Sequence, residues 1–512
     1  MTWTPTADWP RLTRATAHLD TPLAALDLGA LRANAADLAR RAAGTPIRVA
    51  SKSVRCRPVL TEVLSRSEYA GVLAYSLAEA LWLVREGVSD DVVVAYPTVD
   101  RTALAELVRD PAAAAAVTLM VDDPAQLDVV DAVAGPGQRE TVRLCLELDA
   151  SLSLPGLWVG VRRSPLRTAQ EARGAAEAIA RRAGFRLVGM MAYEAQIAGL
   201  GNQPVAGSAP AARVRAAVVR RLQERSWREL PERRAAAVAA VGEVAALEFV
   251  NGGGTGSLER TTTDASVTEL AAGSGLFGPG LFDAYRSFQP APAAAFALDV
   301  VRVPVSGTVT VGGAGWVASG PPGADRLPTI AWPEGLRYLP AEGPGEVQSP
   351  LTGPGAAGLG VGDRVWFRHA KAGELCERVD TLHVVDGEDI VGQWPTYRGE
   401  GKNFGFVWDG ANLDMDYWVI PKGAPNMEEA QKFIAFASDP ARQADLSKYI
   451  AYGPPRKSAA PSVGTYKDGT TEMAPYLPTT PENAESALVN DAGFWADHGT
   501  ELTERFNAWL AG

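Results

Sequence analysis

Eight short runs rich in Val, Ile and Leu, separated by longer stretches of helical period, constrain the first 280 residues most. The runs are Ile47–Ser53, Gly71–Ser76, Asp91–Pro97, Val117–Asp122, Val142–Asp149, Arg186–Glu194, Glu248–Thr255 and Glu269–Phe277. Continuous apolar strands alternating with helices predict a parallel sheet covered on its outer face, and eight of them predict a closed (β/α)8 barrel. Between Asp27 and Ala42 the residues Leu28, Leu31, Ala35, Leu38 and Ala42 share one helix face. The longest insertion, about residues 200–240, is Ala/Arg-rich and reads as helix. The barrel is assigned to residues 1–290.

After Pro290 the pattern changes. Segments Phe296–Val303, Thr308–Val311, Arg364–Arg368 and Glu377–Val385, punctuated by Gly and Pro, read as a separate β domain over 291–402. A third region, 403–512, returns to helical runs (Met427–Ala437 and Asp491–Trp509) around an expected strand Met415–Ile420.

Residue usage breaks at the same place. Residues 1–402 hold three lysines (Lys52, Lys371 and Lys402) beside 38 arginines, whereas 403–512 hold five lysines and three arginines. The last region also carries 15 of the 38 aromatics and −7 of the net charge of −11. Such a difference points to two origins joined near Lys402/Asn403, by fusion or a mis-joined reading frame. The acidic balance argues against a nucleic-acid partner, which would call for clustered Lys and Arg. Cys56, Cys145 and Cys376 give neither a disulfide framework nor a zinc spacing. No apolar run approaches the roughly 18 residues of a membrane span, and the N-terminal stretch lacks a signal-like apolar core. The expectation is a cytoplasmic protein.

Catalytic groups of a barrel sit where its strands end. Lys52 lies at the end of the first run and is the only lysine in the first 370 residues. A lysine above apolar Val49 and Ala50 is placed to lose its proton and form an imine with a carbonyl. Asn251-Gly252-Gly253-Gly254-Thr255-Gly256-Ser257 follows the seventh run, and Gly273-Ser274-Gly275 ends the eighth. Backbone N–H groups of two such loops can converge on an anion where barrels hold phosphate. An imine-forming lysine facing a phosphate cradle implies pyridoxal 5′-phosphate (PLP).

Thr21-Pro22, Asp27-Leu28 with Asn34, the Arg48/Lys52 spacing, Tyr193 and the Gly-Gly-Gly-Thr-Gly loop resemble the alanine-racemase-like, fold type III PLP enzymes. The likeness is nearest to the branch containing D-threonine aldolase, D-serine dehydratase and amino acid deaminase/aldolase proteins, over about residues 18–402. It implies that Lys52 carries the cofactor, that Arg48 and Tyr193 line it, and that Gly252, Gly253, Gly254, Thr255, Gly273 and Ser274 hold its phosphate. It also implies an arginine opposite the pyridine nitrogen, for which Arg162 or Arg163 is the candidate. That branch carries a metal-binding pair in its β domain, a histidine with Asp or Cys two residues later. Here His369 matches the histidine, but the second position is Lys371, a cation that opposes a divalent metal. If a metal is present, His369 is its ligand. Otherwise His369 serves in proton transfer and Lys371 polarises a substrate hydroxyl. The implied activity is aldol cleavage or dehydration of a small D-3-hydroxy amino acid such as D-threonine or D-serine, and the resemblance implies a homodimer. A racemase is the weaker alternative, because no segment resembles the surroundings of the second, tyrosine base.

Residues 403–512 resemble the C-terminal part of bacterial solute-binding proteins for spermidine and putrescine. The matching segments are Val407–Gly410, Asp416–Ala424, Tyr452-Gly453-Pro454, Leu477-Pro478-Thr479 and Phe506–Trp509. In that rival reading Asp416 and Trp418 hold a cationic ligand by ion pairing and cation–π contact, and a transporter is the partner.

Overall fold

A computed structural model of the chain describes residues 7–205, 210–320 and 323–402, then 412–413, 417–467, 469–485, 487–489 and 491–511. It divides into two compact units, Met1–Phe404 and Gly405–Gly512.

In the first unit, strand β1 (Leu23–Asp27) follows a short helix, Trp9–Ala15. Then come β2 (Ile47–Ala50), β3 (Tyr69–Ala74), β4 (Val92–Val94), β5 (Val117–Val121) and β6 (Val142–Glu147). A hairpin of β7 (Leu152–Leu154) and β8 (Leu157–Val159) precedes β9 (Phe185–Ala192), β10 (Phe249–Gly252) and β11 (Glu269–Ala272). Strands β2–β6 and β9–β11 close into the expected eight-stranded parallel barrel, with each of the eight predicted runs contributing one strand.

Alternation along these strands stacks the interior in layers. Ala50, Leu73, Val93, Met120, Cys145, Val188, Met191, Phe249 and Ala271 form one apolar cluster. Two residues earlier on β2, Arg48 lies at the N-terminal floor, and two residues later Lys52 lies at the C-terminal mouth. Outside the barrel, helix Leu28–Ala42 buries Leu31, Ala35, Leu38 and Ala42, and Asp27 caps it by accepting from the Ala30 N–H at 2.9 Å. Full burial of Leu31 or Leu38 contributes about 1.5–3 kcal/mol each. Asn34 ties this helix to the chain beyond β11, donating to the Leu276 and Ala291 carbonyls at 3.0 and 2.9 Å.

The β domain contains β12 (Ala294–Val305), β13 (Thr308–Val311), β14 (Thr329–Trp332), β15 (Arg337–Tyr338), β16 (Ser349–Thr352), β17 (Arg364–Arg368), β18 (Thr381–Asp386) and β19 (Asp389–Pro395). Its sheet also takes in β1, antiparallel to β12 and parallel to β18. The N-terminal helix packs Leu12 and Ala15 beside Leu23, Ala295 and Trp366. The start of the chain is therefore built into the β domain, a pairing across more than 250 residues that local pattern does not reveal. Of the four β segments expected, three are strands nearly as read, while in the fourth only Thr381–Val385 is extended and Glu374–Glu377 forms a 3-10 turn. The insertion is helical, from Pro210 to Gly242.

The second unit has helices Met427–Ala437, Pro440–Leu446 and Ala492–Ala511, and a two-residue parallel pairing of Asn412–Leu413 with Leu488–Val489. Tyr417–Ile420 is not a strand, contrary to the expectation for Met415–Ile420, whose first two residues lie outside the described set.

Candidate active site at the barrel mouth

Beyond β2 the chain turns through a 3-10 segment, Ser51–Ser53, which lifts Lys52 to the mouth. Its Nζ donates to the Tyr96 hydroxyl at 2.6 Å. Burial acts to raise the Tyr96 pKa, but the Lys52 charge and hydrogen bond, with Arg163, outweigh it and bring the phenol below its ordinary value. Arg163 lies over both Tyr96 (5.4 Å) and Tyr193 (5.8 Å), whereas Arg162 lies over Trp158 at 5.0 Å on the β7–β8 hairpin. Of the two candidate arginines, Arg163 is thus the one brought to the site. Burial pushes the Tyr193 phenol up to about 12.

Carboxylates from β5 and β6 complete this side. Asp122 and Glu147 are nearly fully buried. Burial first, with Asp122 and Asp149, pushes Glu147 up to about 7 against the pull of Arg163. Burial likewise raises Asp122. Sequence reasoning missed Tyr96, Asp122 and Glu147, although each ends a strand by the same rule that singled out Lys52.

On the other side of Lys52 from Tyr96, at the ends of β10 and of β11, which pairs with β2, the two Gly-rich loops meet. The Gly275 N–H and the Ser274 hydroxyl reach Thr255 Oγ1 at 3.2 and 3.3 Å. Gly253 has φ +80°, a left-handed conformation that favours glycine. At Gly254 an added Cβ would stand 2.9 Å from Ala198 Cβ and 3.1 Å from Tyr193 Cε2, so a side chain would fill the cradle. The N–H groups of Thr255, Gly256 and Ser274 have no acceptor among the described residues. Three free donors, the hydroxyls of Thr255 and Ser274 and a lysine at the end of the neighbouring strand fit a phosphorylated carbonyl cofactor.

Arg48 is a correction. It does not line the mouth but closes the floor, donating to Glu269 at 2.8 and 2.7 Å and to Asp91 Oδ2 at 2.8 Å. The cause is strand parity: it shares a face with Lys52 but sits two layers below.

The loop after β17 brings the β domain to the lysine. Gly373 packs so closely on Lys52 that a Cβ would be 2.5 Å from the Lys52 carbonyl oxygen. Lys371 Nζ donates to the Ser319 carbonyl at 3.1 Å. Its pKa is lowered by burial, then by Arg326 and Lys52. His369 differs from its expected role. It is fully enclosed beside Phe277, with neither ring nitrogen in a hydrogen bond of normal geometry. Burial, helped by Arg368, pushes it down to about 3, so the imidazole stays neutral. Among the described residues no three His, Cys, Asp or Glu side chains gather as a metal site.

In the second unit Asp416 lies outside the described residues. Trp418 is exposed, its ring edge-on to Phe433 at 5.1 Å. No helix among the described residues is long and apolar enough to cross a membrane.

Comparison with known proteins places this geometry. Residues 26–278 match the model of the alanine racemase N-terminal domain, and residues 384–486 match that of bacterial extracellular solute-binding proteins. Three solved structures share the fold of the first unit. D-threonine aldolase from Filomicrobium marinum is 21% identical, with 75% of this chain and 96% of that one covered at a TM-score of 0.62. D-threo-3-hydroxyaspartate dehydratase from Delftia sp. HT23 is 19% identical over 74% and 97%, at 0.55. An alanine racemase-like protein of Idiomarina loihiensis is 15% identical over 77% and 99%, also at 0.55. One curated relative, the gamma-aminobutyric acid-binding protein of Pseudomonas aeruginosa, is 46% identical over 112 residues, 22% of this chain and 30% of its own. The chain thus spans about 30% of that relative's length. The solute-binding likeness read in the tail is present, but this relative is named for γ-aminobutyrate and not for a polyamine. The closed barrel of this chain therefore has the alanine racemase-like fold, and residues 26–278 are similar to the alanine racemase N-terminal domain.

Proposed function

We propose that the first unit is a PLP-dependent lyase that cleaves or dehydrates a small D-3-hydroxy amino acid such as D-threonine or D-serine. The observation that carries this reading is Lys52 at the mouth, 2.6 Å from Tyr96, beside the strand ends that bear the free N–H groups of Thr255, Gly256 and Ser274. The fold shared with an aldolase and a dehydratase supports it.

Thr255, Gly256 and Ser274 would hold the phosphate, and Tyr193 and Arg163 would flank the ring. When bound, PLP supplies the electron sink for breaking a bond at the substrate α-carbon. Lys52 provides the amine that holds it, and Tyr96, with its lowered pKa, is placed to take the proton that the ammonium must shed. Burial and neighbouring cations lower the Lys371 pKa, so more of it is neutral near pH 7 than of an ordinary lysine. It can polarise the 3-hydroxyl and, when neutral, accept its proton. Glu147, pushed up to about 7, can exchange a proton near neutral pH. The enclosed His369 keeps the Lys371 loop packed on the barrel. This chemistry goes with a cytoplasmic protein.

The test incubates the full chain and PLP with D-threonine and D-serine. Glycine plus aldehyde reports cleavage, and a 2-oxo acid plus ammonia reports dehydration. If neither forms while alanine is racemised, the lyase reading fails in favour of a racemase.

A second reading is favoured by the 46% identity of the tail. It makes residues 403–512 a site for a small amine or amino acid, with Asp416 as the ligand carboxylate. Calorimetry with γ-aminobutyrate and putrescine, on the full chain and on Asp416→Ala, tests it. Heat lost in the variant supports the reading, and no heat with either compound ends it.

A further inference from the structure

The long inserted helix Pro210–Gly242 carries two adjacent arginines that enter the barrel at different places. Arg233 donates to the Asp149 carbonyl at 2.5 Å and to the Ser151 carbonyl at 3.0 Å, on the loop after β6. Arg234 turns the other way, toward the foot of the Gly-rich loop, where its side chain is fully buried.

We propose that Arg234 is a positioning residue for the phosphate cradle, acting through Glu194. The carboxylate of Glu194, fully buried just after Tyr193, is paired with Arg234 Nη2 at 2.9 Å. Its two oxygens accept from the Gly253 N–H at 3.1 Å, the Ser257 hydroxyl at 3.3 Å and the Thr261 hydroxyl. Every one of these donors belongs to the Gly-rich loop or to the helix that continues it. The inner side of the loop is thus held by one carboxylate, which leaves the Thr255 and Gly256 N–H groups free.

Such an anchor carries an electrostatic liability. A buried negative charge beneath an anion cradle repels the phosphate it is meant to help hold, unless a cation compensates it. Arg234 is that cation. It also bonds Asp264 Oδ2 at 3.0 Å and the Ala192 carbonyl at 3.1 Å, fixing the guanidinium between β9 and the turn before β11. Without Arg234, Glu194 is a buried carboxylate beneath the phosphate with no cation paired to it. That uncompensated charge disturbs the loop and repels the phosphate.

This inference rests on the PLP reading of the site. Its test compares PLP with pyridoxal, which keeps the aldehyde and lacks the phosphate, by titrating the full-length apoprotein and following absorbance. Arg234→Met is expected to weaken PLP about 10-fold or more while changing pyridoxal by less than about 2-fold. Arg234→Lys keeps the charge and loses the fork, and should fall between. Arg233→Met, which frees the other loop, should keep the wild-type PLP-to-pyridoxal ratio. If Arg234→Met does not fold, Thr261→Val removes one donor to Glu194 without deleting a charge and should shift the ratio in the same direction. Equal losses for both ligands, or an unchanged ratio, overturn the assignment of Arg234 alone. A wild-type protein that binds neither ligand refutes the cofactor reading itself.

Discussion

Arg48→Met isolates the difference between a residue of the barrel floor and one that lines the cofactor. Arg48 is almost fully buried and makes a two-bond contact to Glu269, whose side chain is 7% exposed, at 2.8 and 2.7 Å. Its other partner, Asp91, is 46% exposed, so solvent screening leaves that arm worth at most about 1 kcal/mol. The Glu269 arm dominates, because methionine would leave a buried carboxylate with only the Asn251 amide, 2.8 Å away, to satisfy it. Breaking such a pair costs about 3–5 kcal/mol. For a cooperative unit of about 400 residues that corresponds to a loss of about 5 °C in melting temperature, at about 2.1 cal/mol/K of unfolding entropy per residue. The assay is thermal unfolding of the full chain followed by tryptophan fluorescence, alongside PLP titration of the folded variant. The double variant Arg48→Met/Glu269→Leu, which removes both charges, should recover much of the loss. An unchanged melting temperature with PLP affinity reduced 10-fold would refute the floor assignment and return Arg48 to the cofactor.

Glu79 gives a pH signature. It is buried and pushed up to about 7 from 4.5, chiefly by burial, while hydrogen bonds from Ser51, the Tyr75 N–H and Tyr397 oppose the shift. The native state therefore holds more protons than the unfolded one between these values. The corresponding stability is complete below about pH 4.5 and is lost as pH rises through about 7. Glu79→Gln, which mimics the protonated form, should exceed wild type by about 3 kcal/mol in denaturant titrations at pH 8, with the difference vanishing near pH 4. Gly254→Ala should cut PLP affinity at least about 10-fold, since its Cβ enters the cradle between Ala198 and Tyr193. Equal affinity would show that the loop is not the phosphate site. Lys371→Met should lower lyase turnover about 100-fold while PLP binding persists, and a chelator should leave wild-type turnover intact. A chelator that abolishes activity would show that a metal, and not Lys371, acts on the hydroxyl.

The barrel was legible because period and length agree in each of its eight strands, and because the end-of-strand rule acts locally: Lys52 and the two Gly-rich loops follow from it, whereas Tyr193 came with the family resemblance. The same rule covers Tyr96, Asp122 and Glu147, but an isolated strand end does not reveal which polar residue meets the lysine. Arg48 shows the limit more sharply. Its parity with Lys52 is readable, yet its partners Asp91 and Glu269 are 43 and 221 residues away, and only the closed barrel brings them beneath it. For the same reason no strand is legible from the sequence at Leu23–Leu26, since the partners β12 and β18 lie at the other end of the unit. The anchoring roles of Arg233 and Arg234 were hidden within an Arg-rich helix whose composition resembles a solvated surface.

The central claim is that Lys52 carries the cofactor, and the rarity of lysine makes it directly testable. The full chain is incubated with PLP, reduced with borohydride and digested, and its modified peptides are identified by mass. The account predicts one stoichiometric pyridoxyl adduct, on Lys52, which disappears along with the visible absorbance band in Lys52→Ala. A stoichiometric adduct on Lys371 or Lys402, or no adduct at saturating PLP, would contradict it.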